Sequence, residues 1–190
     1  MICLRSKIYF SYILPLKNFW NTAVTGPGSV TLSNSAAVLS TSNSTGSAKL
    51  YSNKQKAVTE GKLIFTAVLY TYEDNNTAYG PLVRGLVNGV SRNNAIEFIN
   101  ISGNTIQART VSGGVATTTN YAVGASVANN YSYTIIASSV KVEFYLDGTL
   151  IATHTTNIPT VPLNMYFDAS TTSGNVPQAI DKVSFEIIRN

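Results

Sequence analysis

The chain has 190 residues, of which only 12% are charged, and this length and composition suit one domain built from many short strands. The net charge of +4 comes from Lys and Arg residues that are scattered, with a loose group between residues 49 and 62, which argues against nucleic-acid binding. No long i, i+3, i+4 pattern is present, which excludes a helical bundle, and the single cysteine, Cys3, excludes an internal disulfide.

Residues 1–16 form an apolar arm with a basic start that imitates a secretory signal, but polar residues interrupt the apolar run and no small-x-small cleavage site follows. The run is too short to span a bilayer. We therefore predict a β-strand that ends at Pro15, which has no amide hydrogen to donate. It can cover an edge of its own sheet or complete the edge of a neighbouring subunit, and we favour the second, in a homo-oligomer or larger assembly. The side chains predicted to contact the other subunit are Ile8, Phe10, Tyr12 and Leu14.

Short apolar or alternating segments separated by Gly, Asn, Ser and Pro turns follow Trp20, a pattern typical of an all-β domain. The segment 62–72 is apolar on both faces, so we place it in the middle of a sheet. Three later segments form a meander with turns at 102–104 and 112–114. The predicted strands before residue 125 are 29–33, 36–41, 48–52, 62–72, 79–87, 95–100, 105–110 and 115–120.

The clearest local pattern is a hairpin between residues 140 and 155. Apolar residues alternate with polar ones up to Leu146, and Asp147-Gly148 follows, a dipeptide that accepts the positive φ angles of a two-residue turn. Two further strands, 163–169 and 180–188, close the chain. A two-residue turn predicts the cross-strand pairs Leu146 with Thr149, Phe144 with Ile151 and Val142 with Thr153.

This hairpin, its return strand ending in Ala-Thr-His-Thr at 152–155, and the Asn157-Ile158-Pro159 segment that follows resemble the back-sheet hairpin of the concanavalin A-like lectin/glucanase fold. Trp20, the Gly-rich turn at 26–28 and the strands after it are similar to the opening of small modules of that fold. The resemblance implies a two-sheet antiparallel jelly-roll sandwich over residues 17–190, preceded by the arm. The fold hosts lectins, glycosidases, lyases and structural domains, so it implies no single function.

Glycosidases of this fold carry a Glu-x-Asp-x-Glu cluster on one strand, and this is where the resemblance stops. The matching strand has Glu97 with no acidic residue two or four positions away, whereas glycoside hydrolysis needs a pair of carboxylates. We therefore predict that the chain is not an enzyme and that Glu97 is a surface or hydrogen-bonded residue. His154 is predicted to lie across from Lys141 on the sheet surface, away from Phe144, without a catalytic partner.

Two binding sites remain as hypotheses. The predicted turn after strand 62–72 offers oxygen ligands for Ca²⁺, although Asp and Asn favour turns in any case; no other cofactor is predicted. Exposed tyrosines stack on sugar rings, although tyrosine is also a common strand residue. The calcium candidates are Glu73, Asp74 and Asn75, and the glycan candidates are Tyr72, Tyr79, Tyr121 and Tyr145.

For function we favour a non-catalytic structural or binding protein on a virion surface, as a capsid-associated, decoration, tail or fibre component. The basis is a similarity of the Ser-, Thr- and Asn-rich strands to those of virion surface and tail modules. A carbohydrate-binding module or lectin is the alternative, followed by a cell-surface filament subunit and a glycan-degrading enzyme of the same fold. The predicted partners are other copies of the chain or other surface proteins, and cell-surface glycans, at a virion-surface or extracellular location.

Overall fold

The computed structural model describes residues 7–12, 19–32, 36–41, 46–71, 79–124, 130–171 and 178–189. In these residues the regular structure is all strand, and no helix that could cross a membrane is found among them. The strands are β1 Lys7–Tyr12, β2 Trp20–Thr25, β3 Ser29–Leu32, β4 Ala37–Ser40, β5 Gly46–Lys56, β6 Lys62–Thr71, β7 Tyr79–Val87, β8 Ala95–Ser102, β9 Thr105–Ser112, β10 Val115–Ala122, β11 Asn130–Ala137, β12 Val142–Leu146, β13 Thr149–His154, β14 Leu163–Thr171 and β15 Gln178–Ile188.

The described strands form two antiparallel sheets. The first has the order β13-β12-β11-β6-β15-β4-β3, and β1 also pairs with β15, which gives eight strands. The second has seven strands in the order β10-β9-β8-β7-β14-β5-β2. This arrangement confirms the predicted concanavalin A-like jelly-roll sandwich, with β6 in the interior of its sheet between β11 and β15.

Alternation along the strands places the main core between the sheets. On β6 the buried positions are Leu63, Phe65, Ala67 and Leu69, as period-two patterning predicts. Aromatic rings join the two sheets: the Phe65 and Phe167 ring centroids lie 5.9 Å apart, and other pairs meet edge to face. Each fully buried large apolar side chain contributes roughly 1.5–3 kcal/mol to folding, so a chain of this length needs no disulfide.

The predicted hairpin is β12–β13, and its turn is confirmed. Asp147 and Gly148 have φ angles of 48° and 78°, and Leu146 pairs with Thr149 as predicted. Tyr145 with Leu150 also follows this register, and from Phe144 onward the predicted register is wrong by one residue. A bulge between Phe144 and Tyr145 shifts the partner strand, so the remaining observed pairs include Phe144 with Ala152 and Val142 with His154. Bulges of this kind add one residue to one strand and cannot be read from a two-residue turn.

The same bulge reverses the predicted position of His154. The residue is 3% exposed and faces the core, where its ring centroid lies 5.1 Å from that of Phe144. Its Nδ1 is 3.1 Å from the Thr110 hydroxyl and its Nε2 is 3.0 Å from the Thr119 hydroxyl. Burial lowers the pKa of His154, so a neutral imidazole links β13 to β9 and β10. The prediction of a sheet-surface histidine is wrong because a one-residue slip moves every side chain to the other face.

Part of the N-terminal arm is strand β1. It pairs antiparallel with β15 of the same chain, from Lys7 opposite Ile188 to Tyr12 opposite Val183. This is the in-chain arrangement, in which the arm covers an edge of its own sheet and extends it. Assembly with other copies remains a prediction that this pairing does not require. Leu14 and Pro15 lie outside the described residues.

Candidate functional site

The outer face of the seven-stranded sheet carries a group of charged side chains. On β8 and β14 the residues Ile96, Phe98, Met165 and Phe167 belong to the main core, so the residues between them point away from it. We call the following set the charged face: Lys49, Arg92, Glu97, Arg109, Tyr166 and Asp168. These side chains lie among a second, separate hydrophobic cluster formed by Val83, Val87, Ala95, Ile99, Val111 and Tyr166.

The strand register shows how the charged face is laid out. Arg109 of β9 pairs with Glu97 of β8, Glu97 pairs with Gly85 of β7, and Gly85 pairs with Tyr166 of β14. Neighbouring strands are about 4.8 Å apart, so the backbones at Glu97 and Tyr166 are about 10 Å apart. Gly85 lies between them and adds no side chain, which leaves a gap in this row.

Gly85 is required there by its neighbours as well as by its conformation. Its φ angle is 155°, in a region that residues with side chains rarely adopt. A Cβ at this position would collide with the backbone of β8 at Ile96 and Glu97. The gap is therefore built into the close approach of β7 and β8.

Glu97 is held by two arginines. Its side chain is fully buried, and its carboxylate accepts hydrogen bonds from Arg92 Nη2 at 2.8 Å, Arg92 Nε at 3.0 Å and Arg109 Nη1 at 3.0 Å. A fork of two nitrogens on one carboxylate is the strongest form of such a pair. The prediction that Glu97 is hydrogen-bonded is confirmed. Glu97 belongs to an interior ion pair, however, and is not a surface residue. With these bonds intact, its oxygens are poorly available for a proton or a sugar.

Asp168 is less fully engaged. The Tyr166 hydroxyl donates to its Oδ2 at 3.0 Å, and the Lys49 ammonium lies 3.9 Å from the same oxygen. The other oxygen, Oδ1, is buried and has no hydrogen-bond partner among the residues that the structure describes. Burial raises the pKa of Asp168 despite the opposing charge of Lys49, and burial together with the adjacent carboxylate raises the pKa of Tyr166. Tyr166 therefore keeps its proton and donates it toward Asp168.

The tyrosines predicted as a glycan platform are not gathered at this face. Tyr121 is half-buried on β10 and packs against the main core. Tyr145 is half-buried on β12, in the other sheet. Tyr79 begins β7, and Tyr72 lies outside the described residues. Their role in glycan binding stays a prediction.

The calcium candidates also lie outside the described residues, and calcium binding there stays a prediction. They are Glu73, Asp74 and Asn75. Within the described ranges, no group of three or more His, Cys, Asp or Glu side chains is placed to hold a metal ion.

Sequence reasoning missed Asp168 because it searched one strand for a catalytic motif. A period-two signal was present: Asn164, Tyr166 and Asp168 alternate with the buried apolar residues of β14. Only the strand order reveals that β14 lies two strands from β8, with β7 between them. The ion pair from Arg109 to Glu97 likewise depends on the β8–β9 register.

Comparison with solved structures finds proteins that share this fold along nearly their full length. A β-1,3-1,4-glucanase (lichenase) from a mouse hindgut metagenome aligns with a TM-score of 0.72 at 11% identity, over 95% of this chain and 98% of its own. The laminarinase catalytic domain of Thermotoga maritima aligns with a TM-score of 0.71 at 13% identity, over 98% and 99%. The carbohydrate recognition domain of Emp47p aligns with a TM-score of 0.68 at 12% identity, over 91% and 90%. No family profile and no curated protein sequence matches the chain.

These similarities confirm the concanavalin A-like fold, and they correct one prediction. The expectation that the chain is not an enzyme is overturned by the glycoside hydrolases among the similar structures, which include the lichenase, the laminarinase and the β-glucanase of Bacillus licheniformis. The physical error was to require every carboxylate on one strand. Asp168 and Glu97 come from two strands of the same sheet, and the folded chain places them on the same face.

Proposed function

We propose that this chain binds a glycan on the charged face, with Asp168 as the principal polar contact. The observation that carries the proposal is the free Oδ1 of Asp168, a buried acceptor with no partner in a face that is otherwise well paired. A buried acceptor without a partner costs about 1–3 kcal/mol. The Asp168 side chain is 8% exposed, and a sugar hydroxyl that enters beside it would satisfy this oxygen. The fold likeness to glucanases and to a carbohydrate recognition domain supports this choice of ligand.

The neighbouring groups suit the rest of a sugar unit. Lys49 and Arg109 are each about one-quarter exposed at the side chain and can donate to ring and hydroxyl oxygens. Tyr51 is half-buried and packs against the outer hydrophobic cluster next to Tyr166, where its ring can contact the apolar face of a sugar.

The test is titration of the purified protein with soluble β-1,3- and mixed-linkage β-glucans and with mannose oligosaccharides, followed by calorimetry. Asp168→Asn keeps an acceptor for Tyr166 but removes the charge, and loss of a charged hydrogen bond weakens binding roughly ten- to hundredfold. Asp181→Asn is the matched control, because Asp181 is exposed on β15 of the other sheet. Equal affinity of wild type and Asp168→Asn for a bound glycan would place the site elsewhere.

A second candidate function is hydrolysis of the bound glycan. It is favoured by the raised pKa of Asp168, which is the property of a general acid. Glu97 is the second carboxylate on the same face, and it must release an arginine partner before it can act on water. By register, these residues are two strands and two positions apart, which puts their Cα atoms about 12 Å from each other. A Cα separation of this size is closer to the wide carboxylate spacing of inverting enzymes, roughly 6.5–9.5 Å, than to the roughly 5 Å spacing of retaining enzymes.

Hydrolysis is tested by release of reducing ends from the glucans that bind, with the anomer of the product followed by NMR. We expect inversion, and abolition of turnover in Asp168→Asn with binding of substrate still measurable at high concentration. Turnover that persists in this variant, or retention of configuration, would contradict the assignment of these two carboxylates.

The location on a virion surface or outside a cell remains a proposal. It is supported by composition alone: a low charge content and strands rich in Ser, Thr and Asn. Glycan binding on the charged face is compatible with such a location and does not depend on it.

A further inference from the structure

A buried arginine lies between the two sheets. Arg84 is on β7, and it points to the core together with Leu82 and Leu86. It is fully buried, and its Cζ lies 4.0 Å from the ring centroid of Tyr133 on β11. Its Nη2 donates to Oδ1 of Asn100 on β8. The guanidinium is therefore enclosed by the sandwich and is not part of the charged face.

The charge of Arg84 has no carboxylate partner in the described part of the chain. Nε and Nη1 are buried and have no hydrogen-bond acceptor. Asp147 is the carboxylate near Tyr133, but it is exposed in the β12–β13 turn and accepts from the Ser132 amide at 2.7 Å. Arginine cannot lose its proton in a protein, so the charge itself is buried, and an uncompensated buried charge is strongly destabilising.

The unsatisfied nitrogens around Arg84 are all donors. Besides its own Nε and Nη1 they include the Nδ2 amide of Asn100, which is buried and without a partner among the described residues. The Tyr133 hydroxyl lies beside the guanidinium and can accept from one of its N–H groups. Burial raises the pKa of Tyr133, so the hydroxyl keeps its proton. A site with one positive charge and more N–H and O–H donors than acceptors matches an anion.

We propose that Arg84, Asn100 and Tyr133 bind a small monovalent anion of the chloride type in the interior of the sandwich. The single charge of Arg84 sets the charge of the ion. The burial limits its size: all three side chains lie inside the sandwich and are at most 3% exposed, so only a small ion can be enclosed there. The ion satisfies the donors that the protein leaves unpaired, and its role is to stabilise the packing of β7 against β11. The proposal does not rest on glycan binding.

The test is thermal unfolding followed by the fluorescence of Trp20, which is 6% exposed, in sodium chloride and in sodium gluconate at equal ionic strength. A ligand that binds only the folded state raises the midpoint with its concentration. For a chain of this length, a rise of about 7 °C is expected when chloride reaches roughly 100 times its Kd. Equal midpoints in the two salts over the whole range would overturn the proposal.

Two variants identify the site. Asn100→Asp supplies an internal carboxylate to Arg84, so we expect it to unfold at a higher temperature in gluconate and to lose its response to chloride. Arg84→Met removes the cation and should also lose the response. Asn104→Asp is the matched control, because Asn104 is exposed in the β8–β9 turn, and it should respond to chloride as the wild type does. A chloride response that survives in Asn100→Asp or Arg84→Met, if either folds, would place the anion elsewhere.

A crystal soaked in sodium bromide locates the ion directly. We expect an anomalous peak within hydrogen-bond distance of Arg84 and Asn100 in the wild type, and none there in Asn100→Asp. A water molecule in that position, with no anomalous signal, would refute the anion site even if salts affect stability by other routes.

Discussion

The substitution Glu97→Gln tests whether the ion pair on the charged face supports the fold. Gln has one acceptor oxygen in place of two and carries no charge, so it cannot hold the fork of Arg92 and the contact from Arg109 together. Removing one partner of a buried ion pair costs about 3–5 kcal/mol. The arginine side chains are 20% and 24% exposed, and water can therefore solvate part of the charge that is released.

We expect Glu97→Gln to lower the free energy of unfolding by about 2–3 kcal/mol, between the values for buried and for surface pairs. The unfolding entropy scales to roughly 0.4 kcal/mol/K for a chain of this length, so the midpoint should fall by about 6 °C. The assay is urea unfolding followed by Trp20 fluorescence, with the slope against urea checked for a common two-state transition.

Glu143→Gln is the matched control. Its pair with Lys141 has the same 2.8 Å length, but the lysine is 51% exposed at the side chain, and exposed pairs contribute little to stability. In an Arg92→Met background the cost of Glu97→Gln should shrink, because the main partner is already gone. If Glu97→Gln costs no more than Glu143→Gln, the reasoning about this ion pair is wrong.

Three further predictions concern single buried positions. Asp168→Asn should gain stability relative to wild type as the pH is raised from 3 to 7. The pKa of Asp168 is raised in the folded protein, so wild type loses stability as the pH rises from the unfolded pKa through the folded pKa. A stability difference between the two proteins that does not depend on pH would contradict this. Gly85→Ala should lower the free energy of unfolding by about 2 kcal/mol or more, because of overpacking and the φ angle of this residue. Gly124→Ala should not, because the space around its Cβ is open. Equal urea midpoints for the two variants would refute the close approach of β7 and β8 at Gly85. His154 has a lowered pKa, so wild type should lose stability as the pH falls below 6.5. His154→Gln should show a smaller change in the urea unfolding midpoint between pH 7.5 and pH 5.5 than wild type does. An unchanged pH response would show that His154 does not titrate on unfolding.

The fold was predictable from the sequence because its signals are local. Period-two alternation and turn residues located nearly every strand, and Asp147-Gly148 gave the correct turn. The same locality explains the failures. A bulge next to Phe144 moved His154 from the surface to the core, and nothing within the hairpin sequence distinguishes the two registers.

The charged face was not predictable because it depends on strand order. Glu97 and Asp168 are 71 positions apart in the sequence, and they share a face only because β7 lies between β8 and β14. A catalytic motif on one strand is visible in a sequence, whereas a pair drawn from two strands appears only when the sheet is assembled. The absence of the motif was therefore weak evidence about activity.

Three charged side chains are buried to nine-tenths or more in the described part of the chain, and they differ in how well they are paired. Glu97 has two arginine partners, while Asp168 has one oxygen without a partner and Arg84 has two unpartnered N–H groups. More than nine-tenths of buried polar groups in folded proteins are hydrogen-bonded. Asp168 and Arg84 are two of several exceptions among the described residues, which also include both amide atoms of Gln178, and a buried charge left without a partner is expected to serve a function. Ligands should therefore bind at Asp168, where the free atom accepts, and at Arg84, where the free atoms donate, while Glu97 keeps the arginines of the charged face in place.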